Sequence, residues 1–293
     1  MKLSMNLFRL GAVVLTGMLF SMCSTDEGVS PNDDGIISSR GLLTGGSSTN
    51  VALIGLSAAN ELVSLQAGPP ATETAVVPIT GLREGETILG IDVRTKTGEL
   101  YGLSSQSIIY KLDATTGVAT PVGAPFTPLL EGTIFGFDIN PADDVIRVMS
   151  NKNQNLRISA TTGQVVAIDP FVNFGGYVLN SIAYLPILSA GRAILYDLDV
   201  TTGALYKQTN ANGGPLTYLG LTGFNWSGEG GFDISANAIG YTVQYGSIRQ
   251  SGSGTWGADD TTQDAYRLYT VNLKNGKATS FGKVRPMIGV VVK

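Results

Sequence analysis

ETILGIDVRTKTGELYGLSSQSIIYKLDATTGVATPVG, residues 86–123, is the segment that decides the predicted fold. Apolar and polar residues alternate along three short runs within it, at 88–93, 99–103 and 108–113. Alternation with a period of two, interrupted by glycine-containing turns about 8–12 residues apart, is typical of an antiparallel meander. The segment therefore predicts short strands, each paired with its neighbour in the chain.

Parts of this segment recur along the chain. Its third strand and following turn, IIYKLDATTG, return as LRISATTG at 156–163, YDLDVTTG at 196–203 and YTVNLKNG at 269–276. Gly90 and Gly136, which hold the same place in two copies of the first strand, lie 46 residues apart. Four-stranded units with a period near 40–50 residues indicate a β-propeller. A β-sandwich also consists of short strands, but it has no reason to repeat a turn at a fixed period.

We predict an all-β propeller of four-stranded antiparallel blades in one domain, residues 50–293. Five blades are expected, at 50–82 together with 286–293, 86–125, 133–170, 178–222 and 228–283. The first of these has only three strands of its own. MIGVVV, residues 287–292, resembles the first strand of the 86–123 segment, so the C-terminal strand is expected to close the ring. Two stretches without alternation, 210–227 and 245–265, are predicted to be irregular.

The first 22 residues are predicted to be a signal peptide. Lys2 and Arg9 precede an apolar run at 10–20 that is too short to span a bilayer as a helix. Cys23 follows in a position that resembles the lipidated cysteine of bacterial lipoproteins, and the STDE after it resembles a Bacteroidetes-type surface-export signal. An ordinary signal peptide with an incidental cysteine is the alternative. Residues 23–49 are predicted to be a flexible acidic tether rich in Ser and Gly, and we expect a lipid-anchored protein of the bacterial outer membrane or cell surface.

The composition excludes several kinds of chemistry. The chain has no His and a single Cys, so Ser-His-Asp and Cys-His catalysis and His-based metal sites are ruled out. No basic cluster suggests nucleic acid as a partner. Paired acids at 143–144 and 259–260 lack the spacing of a calcium loop. We expect no cofactor and no metal.

Three aspartates hold the same place in copies of the first strand: Asp92, Asp138 and Asp233. First strands line a propeller's axis, so these carboxylates are expected to gather there. One hypothesis is structural, with each Asp accepting hydrogen bonds from turn amides. The other is catalytic, with the carboxylates acting as general acid and base on a glycan. We favour the structural hypothesis, because catalytic carboxylates need unlike surroundings and repeats supply like ones.

Ligand-binding residues are expected on the 245–265 loop. Trp256 could stack on a sugar ring, with Asp259 and Asp260 beside it; a locally buried Trp is the alternative. Arg147 and Arg157 could form an anion site, although pairing with Asp143 or Asp144 is the more ordinary expectation for two arginines on adjacent strands.

Residues 81–166 resemble an uncharacterised family of secreted bacterial domains, the domain of unknown function 4394. The resemblance rests on LGIDVR at 89–94, GFDINP at 136–141 and IRVMSN at 146–151, and it implies a secreted repeat domain with no known reaction or catalytic residue. We therefore expect a surface lipoprotein whose propeller binds an extracellular glycan or protein, with the membrane contacted only through the lipid. A carboxylate-dependent glycan hydrolase or lyase and a structural envelope protein are the alternatives.

Overall fold

The computed structural model of the protein describes residues 50–170, 179–186, 193–226, 230–248 and 264–293. Contacts divide the chain into two units, Met1–Thr44 and Gly45–Lys293, and every described residue belongs to the second. Within the described ranges, all regular structure is β-strand. A membrane-spanning helix is absent from those ranges.

The strands form five antiparallel sheets, and each sheet is one blade. Blade 1 contains β21 (Met287–Val292), β1 (Val51–Ser57), β2 (Glu61–Ala67) and β3 (Thr72–Pro78). Blade 2 contains β4 (Ile88–Arg94), β5 (Glu99–Ser104), β6 (Ile109–Leu112) and β7 (Ala119–Pro121). Blade 3 contains β8 (Phe135–Asn140), β9 (Val145–Ser150), β10 (Asn155–Ser159) and β11 (Val165–Ile168). Blade 4 contains β12 (Leu179–Tyr184), β13 (Leu195–Asp199), β14 (Ala204–Gln208) and β15 (Thr217–Leu221). Blade 5 contains β16 (Phe224–Trp226), β17 (Gly231–Ile234), β18 (Ile239–Ile248), β19 (Ala265–Asn272) and β20 (Ala278–Lys283).

The innermost strands surround a common axis. In ring order these are β21, β4, β8, β12 and β17, and each contacts the next, with β17 returning to β21. The C-terminal strand β21 pairs antiparallel with β1, from Leu53 opposite Val292 to Ser57 opposite Met287. The predicted five-bladed propeller, closed by its C-terminal strand, is thus confirmed.

Apolar side chains fill most of the contact surfaces between adjacent blades, which we call seams. Each of three seams contains one apolar cluster, as the pairs Leu56 with Ile91, Tyr101 with Val148, and Leu65 with Tyr241 illustrate. Alternation along each strand sends one set of side chains to each neighbouring blade. Full burial of such a side chain stabilises the fold by roughly 1.5–3 kcal/mol, so the seams hold the ring together.

A serine turn recurs in four blades, after the second strand from the axis in blades 1, 2 and 3 and after the inner strand in blade 5. Ser150 accepts hydrogen bonds from the amides of Lys152 and Gln154, both at 3.2 Å. The residue three places after the serine has a positive φ in every copy; these residues are Asn60, Ser107, Asn153 and Ala238. The sequence interpretation missed this turn, because the position with positive φ is not a glycine.

Blade 5 departs from the predicted pattern. The stretch 210–227, predicted to be irregular, contains β15 and the short strand β16. Strand β18 continues to Ile248, four residues into the predicted loop, because β16 pairs with it from Phe224 opposite Ile248 to Trp226 opposite Gly246. A strand of ten residues that pairs with both β16 and β17 replaces the usual six-residue second strand.

Candidate functional site: the carboxylates at the propeller axis

The repeated aspartates lie together at the axis. Asp92, Asp138 and Asp233 are on β4, β8 and β17, the inner strands of blades 2, 3 and 5. Each offers a carboxylate oxygen, and these oxygens lie within 4.8 Å of one another. All three side chains are buried, with 3–9% of their surface exposed. The sequence repeat therefore placed three acids in one cluster, as the prediction required.

Each carboxylate joins its own strand to the inner strand of the next blade. Asp92 accepts hydrogen bonds from the amide of Val93 at 2.7 Å and from that of Ile139, in blade 3, at 2.8 Å. Asp233 accepts from Ile234 and from Val292, in blade 1, both at 2.6 Å. The donors lie in strands and half of them belong to the neighbouring blade, whereas the sequence analysis expected turn amides of the same blade.

Asp138 completes the pattern by accepting from Ile139 and from Tyr184 in blade 4. Three carboxylates thereby serve the equivalent amide of all five inner strands. Blades 4 and 1 have Ala183 and Val291 at the aspartate position. The next amides along these strands, of Tyr184 and Val292, donate to the aspartate of the preceding blade. The axial polar groups are paired without a fourth or fifth acid.

Burial and mutual repulsion make these carboxyl groups weak acids. Desolvation raises the pKa of Asp92 and of Asp138 well above the ordinary value, and the charges of neighbouring members of the trio raise both further. Burial raises the pKa of Asp233 to about 6, although the Val292 and Ile234 amides act in the opposite direction. Three like charges at this separation are costly in a medium of low dielectric constant, so the trio loses its protons at higher pH than ordinary aspartates do.

The comparison with protein families agrees with this architecture. The family described as "Domain of unknown function (DUF4394)" matches residues 61–291. The chain belongs to this family. That membership confirms the resemblance drawn from residues 81–166 and extends it over β2 and β3 of blade 1, over blades 4 and 5, and into the closing strand of the DUF4394 domain.

Other comparisons add little about function. Among curated proteins, none matches the chain. Among solved structures, a structural genomics protein of unknown function from Bacteroides thetaiotaomicron is similar, with 14% identity and a TM-score of 0.47. That similarity covers 80% of this chain, and the chain spans 58% of the length of the other protein.

The axis leaves little room for a ligand. A cavity of about 20 Å³ lies among the inner strands of all five blades, beside Gly90, Gly136, Ser181, Gly231 and Gly289. This volume holds about one water molecule. In the described ranges, the carboxylate trio is the one cluster of three or more acids that is close enough to share an ion, and hard cations such as Ca²⁺ accept oxygen ligands. Each of the three carboxylates already accepts two amide hydrogen bonds. These bonds are sufficient to explain why the carboxylates lie together, without a bound ion.

Four further predicted site residues, Cys23, Trp256, Asp259 and Asp260, are outside the described residues.

The two arginines that suggested an anion site do not pair with the acids expected. Arg147 and Arg157 both form ion pairs with Asp169, at 3.0 and 2.9 Å. Asp144 pairs instead with Arg94 of blade 2. Asp169 follows the outer strand of blade 3, and no spacing in the sequence connects it to the two arginines.

Proposed function

We propose that this protein is a lipid-anchored, non-catalytic interaction module of the bacterial cell envelope, with an extracellular glycan or protein as its partner. The observation that carries the proposal is the state of the axial carboxylates. All three are engaged in bonds between blades, and the cavity beside them is smaller than a sugar ring. A rigid ring of this kind presents loops, and binding residues gather on loops that a rigid scaffold holds.

The binding surface in this proposal is the insertion between β18 and β19, which carries Trp256, Asp259 and Asp260. An aromatic side chain with adjacent carboxylates suits a sugar face and its hydroxyl groups. Replacing residues 249–263 by a short Gly-Ser linker should leave the thermal midpoint unchanged and abolish binding on a glycan array. Full binding by the shortened protein would move the site to another loop.

The lipid anchor is tested separately. Cys23→Ser should move the protein from the membrane fraction to the soluble fraction of the envelope, because the proposal includes no other membrane contact. A protein that remains in the membrane fraction after this change would contradict the anchor but not the binding module.

The hydrolase alternative is tested at the axis. If the carboxylates are structural, each change of Asp92, Asp138 or Asp233 to Ala should lower stability by roughly 1–3 kcal/mol, because it removes two amide hydrogen bonds. Asp233→Ala should cost the most, because the Ile139 amide keeps one acceptor when either Asp92 or Asp138 is replaced. Neutral or stabilising changes, together with loss of glycan cleavage, would identify the trio as catalytic.

A further inference from the structure

The seam between blades 3 and 4 contains an apolar cluster, which includes Met149 and Ile182, and also a buried polar network. Arg147 of β9, which is 1% exposed, is at the centre of that network. The guanidinium donates to the Tyr184 hydroxyl at 2.7 Å, to Asn155 Oδ1 at 2.6 Å and to Asp169 Oδ2 at 3.0 Å. It also donates to Asn212, which lies on the turn after β14. Arg147 therefore connects the two blades through a paired polar network.

Two further polar side chains of blade 4 face this network. Strand register places Asp197 opposite Ile182 and Tyr206, and it places Gln208 opposite Leu195, which is itself opposite Tyr184. Because residues opposite one another share a face of the sheet, Asp197 and Gln208 lie on the same side of blade 4 as Tyr184. That is the side that meets Arg147.

Asp197 and Gln208 are fully buried, with 0% of their surface exposed. In the part of the chain that the structure describes, neither carboxylate oxygen of Asp197 has a hydrogen-bond partner, nor does either amide atom of Gln208. Asp199, equally buried on the same strand, accepts bonds from Thr201 and Thr202. Most buried polar groups in native proteins are paired, and a bound water or other small molecule is one way to pair a group that has no protein partner.

We propose that Asp197 and Gln208 form a binding site for hydroxyl groups inside the seam between blades 3 and 4. A hydroxyl oxygen can donate to Asp197 and accept from Gln208, and the reverse is available if the carboxyl is protonated. The diagonal spacing of two such residues on adjacent strands is about 7–8 Å, which one bridging oxygen can span through the side chains. The site goes beyond the proposed envelope function and is independent of the anchor and of the insertion.

Charge selects a neutral ligand for this site. A cation would lie near the Arg147 guanidinium, and an anion would lie against the Asp197 carboxyl. Burial raises the pKa of Asp197 to about 7, and the charge of Arg147 acts in the opposite direction. The hydroxyl group comes either from ordered water or from a small neutral sugar, which offer the same hydrogen-bonding chemistry.

Gln208→Met tests the site, because methionine keeps the length of the side chain without its polar atoms. If a bound hydroxyl pairs the amide, the variant should melt a few degrees lower, about 2–4 °C for each bond lost. If the amide is unpaired, removing it should raise the thermal midpoint, and that result would overturn the proposal. Gln66→Met, a half-buried change on β2 of blade 1, controls for the loss of an amide elsewhere.

A crystal structure of the protein separates the two sources of hydroxyl. Electron density for an oxygen within hydrogen-bonding distance of both side chains is expected. If glucose raises the thermal midpoint of the wild type but not of Gln208→Met, the hydroxyl belongs to a sugar; density without any effect of glucose assigns it to water. A direct bond between Asp197 and Gln208, with no density between them, would overturn the site even if Gln208→Met were destabilised.

Discussion

At the scale of single residues, the main feature is that three carboxylates at the axis accept hydrogen bonds from five equivalent backbone amides. The same position is Ala183 in blade 4 and Val291 in blade 1. Each Asp uses one oxygen for its own strand and one for the next blade, as Asp92 does with Val93 and Ile139. A further acid would find no unpaired amide and would add charge to a buried site.

This argument predicts the effect of Ala183→Asp. Ala183 is fully buried at the axial position, so a fourth carboxyl should destabilise the protein by several kcal/mol when it ionises. Ala183→Asn is the matched control, because it has nearly the same size and no charge. The difference in thermal midpoint between the two variants should widen from pH 4 to pH 8. Equal midpoints at pH 8 would show that the axis tolerates another charge.

The raised pKa of Asp138 predicts how stability depends on pH. A carboxyl group whose pKa is higher in the folded state than its unfolded value of about 3.9 binds more protons when folded. Its contribution to stability is therefore greatest at low pH and declines as the pH rises above about 4. In urea unfolding at several pH values, the wild type should lose stability relative to Asp138→Asn as the pH rises.

Asp113 is the opposite control for that experiment. Amide hydrogen bonds from Thr116 and Thr115 lower its pKa, so its contribution is present above the unfolded pKa and is lost as the pH falls. The wild type should gain stability relative to Asp113→Asn as the pH rises. A pH-independent difference between the wild type and Asp138→Asn would mean that Asp138 titrates as an ordinary carboxyl group.

The sequence placed the axial aspartates correctly because Gly-x-Asp recurs in the repeats. It did not reveal which amides they bond, because the partner depends on the order of blades around the ring. The pairing of Arg147 with Asp169 was missed for a similar reason: both reach the seam only through folding. Local patterns specify a residue's strand and face, whereas its partner across a seam is set by the tertiary structure.

At the scale of strands, the sequence repeats predicted the number of blades and the closing strand. The exact ends of the strands depend on which strands pair with each other. The observed β4 (Ile88–Arg94) and β5 (Glu99–Ser104) each end one residue beyond the predicted run. The short β16 (Phe224–Trp226) carries too few residues to show alternation, and it exists because β18 continues beside it. Strand ends of this kind depend on a partner and not on local propensity.

Close approach of the inner strands predicts the effect of Gly231→Ala. A Cβ atom at Gly231 would lie 2.3 Å from the amide nitrogen of Val290 and 2.5 Å from the Cα of Gly289. Because backbone atoms cannot move aside, blades 5 and 1 should separate, at a cost of roughly 1–3 kcal/mol. Thermal unfolding should show the loss. Gly68→Ala, whose nearest contact would be 3.9 Å away, should melt like the wild type.

At the scale of the whole molecule, the ring is held by one strand taken from the far end of the chain. Deleting residues 288–293 should remove the ladder between β21 and β1 and expose the apolar seams on either side, which contain Val290 and Val291. We expect a large drop in thermal midpoint or an insoluble protein. A truncated protein that melts within about 2 °C of the parent, where 1 kcal/mol shifts the midpoint by about 2–4 °C, would contradict closure by β21.

Closure by β21 also fixes when the molecule can finish folding. A chain emerges from the ribosome with its N-terminus first, so β21 is made after β1, β2 and β3 and after the strands of the other blades. Until residues 287–292 are made, the inner edge of β1 has no partner strand. Its unpaired backbone N–H and C=O groups can then pair with strands of other chains. A polypeptide that ends prematurely stays an open arc with that edge exposed. The ring therefore cannot close until residues 287–292 have been made.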